Sequence, residues 1–124
     1  MRASNFDLYM RHGSGKKILG MPSSQRAAVL RNLMISLLKC GKIETTLAKA
    51  KVLAPSIEKM ITLAKNENLA TTRILAAKLD KESVASIYEI AKKFAERKGG
   101  YTRITKTWRR YGDGAETAIV EFAF

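Results

Sequence analysis

Residues 101–124, "YTRITKTWRRYGDGAETAIVEFAF", decide the fold. The opening "YTRITKTWRR" is dominated by β-branched and aromatic residues, which suit a pleated, half-buried surface. The closing "ETAIVEFAF" alternates, with Ala118, Val120, Phe122 and Phe124 on one face. Asp113-Gly114 between them is a turn signal. The stretch therefore predicts a β-hairpin. Gly99-Gly100 ahead of it ends whatever precedes.

What precedes reads as helix. Pro22-Ser23-Ser24 is a helix start with a serine cap. From Ala27 the apolar residues Leu30, Leu33, Met34, Leu37 and Leu38 recur at helical spacing, with Gln25, Asn32, Ser36 and Lys39 on the opposite stripe. Gly41 is a C-terminal stop. Lys42-Ile43-Glu44-Thr45-Thr46 is short and rich in β-branched residues, which predicts a strand. Thr45 or Thr46 then caps a second helix to about Lys65. Its apolar face is Leu47, Ala50, Leu53 or Ala54, Ile57, Ile61 and Ala64. Pro55 lies inside it and should kink or split it. Asn68 caps a third helix, Leu69 to Leu79. Asp80 starts a fourth, with Val84, Ile87, Tyr88, Ala91 and Phe94 inward. The expected architecture is about four helices packed on a small, mainly antiparallel three-stranded sheet. Residues 22–124 are expected to form a single globular domain, preceded by a flexible basic extension over residues 1–21.

Composition bounds the function. Twenty-three Lys and Arg against eleven Asp and Glu give a formal charge of +12, which speaks about partners, not about fold. A polyanion is the first candidate and an anionic membrane surface the second. No run of about 18 apolar residues exists, so nothing is expected to span a membrane. The first nine residues lack an apolar core and a cleavage signal, so no secretory peptide is expected. The single cysteine, Cys40, cannot form an internal disulfide. It ends an apolar helical pattern, which predicts a buried, inert thiol. The charge is unevenly spread. Residues 11–42 hold seven Lys/Arg and no acid, residues 43–90 seven bases and six acids, residues 91–124 eight bases and four acids. The two ends read as contact surface and the middle as scaffold.

The chemistry of enzymes is missing from the pattern. One His and one Cys without ligand spacing make no metal site. His12 sits in a glycine-flanked basic tail, unsuited to a catalytic triad. Glu58, Glu67 and Glu89 fall on predicted solvated faces. The tail stretch "RHGSGKKILG" fails as a P-loop: the first glycine would fall at Met10 and the magnesium-binding hydroxyl at Lys17. No catalytic residue, cofactor or small-molecule substrate is expected. Nucleic acid fits better. Lys92, Lys93, Arg97, Lys98, Arg103, Lys106, Arg109 and Arg110 accompany a single acid, Glu96. Tyr101, Trp108 and Tyr111 are interleaved. Cationic groups neutralise phosphates, and aromatic faces stack on unpaired bases, which RNA offers more often than DNA. A DNA-binding architectural protein is the alternative, because an acid-free N-terminal helix would suit it too.

Five blocks occur in order over residues 10–123: "MRH" (10–12), "KIETTLAKAK" (42–51), "ITLAK" (61–65), "GGYTRI" (99–104) and "RRYGDGAETAIVEF" (109–122). Together they resemble the seventeenth protein of the bacterial large ribosomal subunit, a family also found in organelle ribosomes. The resemblance implies an α+β fold and a structural role in the large subunit. It implies contacts with large-subunit rRNA and neighbouring ribosomal proteins, near the nascent-chain exit. The ribosome would be a bacterial cytoplasmic one, or alternatively that of an organelle. Carried over residue by residue, the rRNA-facing candidates are Arg11, His12, Lys16 and Lys17 in the tail, Arg26 and Arg31 on the first helix, and Arg103, Arg109 and Arg110 on the hairpin. Met21, Gln25 and, within Val52-Leu53-Ala54-Pro55, Val52 and Ala54 depart from the residues usual in the family at those positions.

Overall fold

The computed structural model describes residues 17–124, so the expectations for Arg11, His12 and Lys16 lie outside the described residues. Helix α1 runs Ser23–Cys40, strand β1 Lys42–Thr46 and helix α2 Leu47–Ala64. Helices α3 (Leu69–Lys78) and α4 (Lys81–Lys93) follow. Strands β2 (Thr102–Arg109) and β3 (Glu116–Phe122) form the hairpin. This is an α+β fold.

The sheet has the order β1-β3-β2 and is antiparallel throughout. β3 lies in the middle. Val120 has Ile43 opposite it on one side and Ile104 on the other, so one row of β-branched residues crosses the sheet and packs on its core face. Ala118 and Val120 are fully buried as a result, and Phe122 nearly so. The helices supply the other wall. Leu37, Leu53, Ile57, Ile61, Leu75 and Ile87 are all completely inaccessible and share one cluster with these strand residues.

Local chemistry sets the element ends. Gly41 follows α1 at φ 73°, and its N–H donates to the Leu37 carbonyl at 2.8 Å. That left-handed conformation is open to glycine without steric cost. The Asn68 side chain accepts from the Thr71 N–H at 2.8 Å, and the Asp80 carboxylate from the Ser83 N–H at 3.2 Å. Lys39 reaches Asp80 at 3.1 Å and Glu82 at 3.3 Å, tying the end of α1 to the start of α4. The Ser83 and Lys39 contacts hold the Asp80 carboxyl below its ordinary range.

Several expectations fail at element ends. α1 is entered through Pro22, without a side-chain cap, so the serines lie in its first turn. Thr46 occupies the cap position of α2, but its hydroxyl caps nothing. α2 continues through Pro55 without splitting. The proline removes only one N–H, on an exposed face where water can satisfy the Lys51 carbonyl. Cys40 is exposed, not buried. The apolar stripe of α1 ends at Leu38, and the helix outruns the core by half a turn. Ala27 is exposed for the same reason at the other end. Phe124 is 66% exposed, although its ring stacks on Phe94 at 5.2 Å.

Candidate nucleic-acid interface

The hairpin is less regular than its sequence. Lys106 faces Ala118 and Arg109 faces Glu116, three steps along β2 against two along β3. One extra residue on β2 is therefore accommodated as a β-bulge, which breaks the alternation and re-aims side chains. The bulge is held by hydroxyls. Thr117 Oγ1 donates to the Trp108 carbonyl at 2.7 Å and lies 2.6 Å from Thr107 Oγ1. Beyond it, the Arg110 N–H donates to the Ala115 carbonyl at 2.8 Å and the Gly114 N–H to the Arg110 carbonyl at 2.9 Å. Asp113 braces the tip, accepting from the Ala115 N–H at 3.1 Å and from Arg110 Nε at 3.2 Å. The Arg110 guanidinium, and after it the Ala115 N–H, hold the Asp113 carboxyl down to about 2.

All three hairpin arginines are exposed, and all three meet a carboxylate. Arg103 lies 3.7 Å from Glu121, Arg109 3.6 Å from Glu116, and Arg110 against Asp113. Exposed pairs of this kind are worth little and can be exchanged for phosphate contacts. Lys106 meets no carboxylate among the described residues. Between Tyr101 and Phe122, four bases face three acids, so the hairpin is nearly neutral.

The aromatic residues divide. Trp108 is 67% exposed and Tyr111 fully exposed. Tyr101 is 1% exposed, which removes it as a stacking platform. Its ring packs on Phe94 at 5.1 Å, and its hydroxyl donates to the Arg97 carbonyl at 3.2 Å. The Lys65 ammonium, together with Thr62, holds its phenol below the usual range. Arg97 is likewise a brace. Its guanidinium lies over Phe94 and donates to the Gly100 and Ala123 carbonyls, fastening together the chain entering β2 and the chain leaving β3. Glu58 is no idle surface acid either: it accepts from the Thr102 N–H at 3.2 Å and hydroxyl at 2.7 Å, joining α2 to β2.

Cations from separate elements also gather in two clefts. Lys17 and Lys51 line a cleft with the start of α2, Ala115 and Glu116, the acid that pairs with Arg109. The end of the tail thus meets the turn end of the hairpin. Arg31 lines a second groove, of about 1000 Å³, between α1, α2 and the end of α3. Lys59 and Lys78 line it as well, and among the described residues no Asp or Glu does. Arg26 is half-buried and sits about 140° around α1 from Arg31, at 100° per residue, so the two face different ways. Sequence reasoning missed Lys51, Lys59 and Lys78. Each looks like an ordinary solvated helix residue, and only the packing of separate elements makes them neighbours. No cluster of potential metal ligands occurs among the described residues, and no helix there is long and apolar enough to cross a membrane.

A small α+β scaffold with basic grooves and a braced hairpin makes this a basic protein whose charged surfaces suit a polyanion. The chain belongs to the ribosomal protein L17 family, whose sequence profile matches residues 29–123. It is 51% identical over 115 residues to large ribosomal subunit protein bL17 of Campylobacter lari, covering 91% of this chain and 98% of that one. The bL17 of Nautilia profundicola is 50% identical over 119 residues, with the same coverage. That of Pelagibacter ubique is 46% identical over 115 residues, covering 91% of this chain and 79% of the relative.

Proposed function

We propose that this chain is a structural constituent of the large subunit of a bacterial cytoplasmic ribosome. Its basic surfaces bind large-subunit rRNA, it touches neighbouring ribosomal proteins, and it lies near the nascent-chain exit. One observation carries the reading: bacterial relatives named as large-subunit proteins align with the chain over nearly its full length at about half identity. The physical arrangement supports it. Arg31 stands with Lys59 and Lys78 in a groove lined, among the described residues, by no acid, and Lys17 with Lys51 beside the hairpin. Guanidinium and ammonium groups so placed release counterions on meeting a phosphate backbone. In this reading residues 1–21 are a basic extension laid along the RNA, bringing Arg11, His12 and Lys16 to it.

The test is sedimentation of a tagged chain from a bacterial lysate. It should travel with large subunits and with whole ribosomes. Co-sedimentation with nucleoid DNA instead would overturn the assignment. The exit position is tested separately, by photocrosslinking from a stalled nascent chain, which should label this protein.

A further inference from the structure

We propose that Trp108 and Tyr111 form a stacking subsite for unpaired bases of the bound RNA. This rests on the rRNA-binding reading above and names the chemistry of one part of that interface.

Both rings are exposed without a structural reason. Trp108 is 67% exposed and Tyr111 fully so, and neither belongs to the core cluster. The aromatic residues at the opposite end of the hairpin have occupied rings. Tyr101 is buried on Phe94, and exposed Phe124 is stacked on Phe94 with the Lys93 ammonium 4.7 Å above it. Trp108 and Tyr111 have no aromatic or cationic partner among the described residues.

The backbone under the rings is fixed in advance. The bulge takes Trp108 out of the alternation, and Thr117 Oγ1 holds its carbonyl. Tyr111 is carried by a loop closed through Arg110, Asp113 and Ala115. A platform that needs no ordering loses less entropy on binding.

The surroundings select the ligand. A protein hot spot is an aromatic anchor set in a well-packed, desolvated patch. Here the chain neighbours over residues 106–114 are Lys106, Thr107, Arg109, Arg110, Gly112, Asp113 and Gly114, with no Leu, Ile, Val or Met among them. An unpaired base has a flat apolar face, polar edges and an attached phosphate, and so matches a ring among cations. The three arginines sit in exposed pairs that phosphate can displace, so the hairpin adds counterion release of its own, and the rings add a share beside it. The rings' share should be insensitive to salt, unlike that of the arginines, the tail and the grooves.

Trp108 is the only tryptophan, so its emission reports on the subsite directly. The full-length protein is titrated with deproteinised bacterial large-subunit rRNA, with poly(A), and with poly(A)·poly(U) duplex. Emission should be quenched by the first two and little changed by the duplex. Trp108→Phe should keep its affinity for the rRNA. Trp108→Leu, apolar but without a π-face, should lose about tenfold or more, with the slope against salt unchanged. Tyr111→Leu should lose affinity in the same salt-independent way. Tight rRNA binding with unaltered emission and a neutral Trp108→Leu would overturn the subsite and leave the rRNA reading standing. Emission that shifts with large-subunit proteins in place of RNA would overturn it in favour of a protein contact. Failure of every variant, and of the parent, to bind rRNA would overturn both.

Discussion

Asp113 and Arg110, three positions apart, set the shape of the hairpin tip, because one carboxylate answers both a backbone N–H and a guanidinium. Its folded value of about 2 lies below the ordinary 3.8. A depressed carboxylate stabilises the fold above its unfolded value, and that contribution is lost as pH falls from about 4 towards 2. A carboxyl-carbon NMR titration should find the Asp113 midpoint near 2, and Arg110→Gln should move it back up towards 3.8. Residue-scale roles were only partly legible in the sequence. Tyr101 and Trp108 stand seven positions apart in one aromatic, β-branched stretch, yet one is core and the other is surface. The difference comes from Phe94 and Thr62, which local pattern cannot place. Arg97 reads as one more phosphate-binding base, and only the fold shows its donors turned to Gly100 and Ala123.

The elements were far more legible, because helices and strands answer to local periodicity and to end signals that the chain itself carries. Gly41, Asn68 and Asp80 mark ends by mechanisms confined to a few residues. The failures occur where an element outlasts its support, as at Cys40, or where a proline can be absorbed on an exposed face, as at Pro55. The order of strands and the bulge in β2 were hidden, since pairing is decided between distant segments. The apolar stripes are the scaffold. Leu37→Ala should destabilise the fold by about 2–5 kcal/mol and Val120→Ala by somewhat less, as both empty fully buried positions. Arg109→Ala should leave the denaturation midpoint nearly unchanged, because its pair with Glu116 is exposed, while weakening rRNA binding. Urea melts beside filter-binding assays separate these outcomes. Melting by Arg109→Ala without loss of binding would reverse the assignment.

At the scale of the molecule, a mixed-charge middle stands between two basic ends, and the folded chain brings Lys17 beside the turn end of the hairpin. RNA binding should then fall steeply with salt, by close to one unit of slope for each phosphate neutralised. Removing residues 1–20 takes away Arg11, Lys16 and Lys17. The slope should shrink by about two to three units while the hairpin's share persists. Titrations of both forms with rRNA at several salt concentrations check this, and identical slopes would mean that the tail meets no phosphate. The overall charge asymmetry was visible in the sequence. The groove shared by Arg31, Lys59 and Lys78 was not, because it exists only once three helices have packed.

The middle strand of the sheet is the last of the three to be synthesised. β1 finds its partner some 79 positions further on, Lys42 opposite Glu121, and β2 lies on the far side of that same partner. During translation, then, two strands wait with open edges until β3 emerges, and no early pairing can relieve them because they never touch. Such edges invite pairing with other chains. The helices can collapse first around Leu53, Ile57 and Ile87, leaving a half-built body whose sheet closes in a single late event. Pulsed hydrogen exchange during refolding should show α2 and α4 protected before β1, with β1 and β2 gaining protection together.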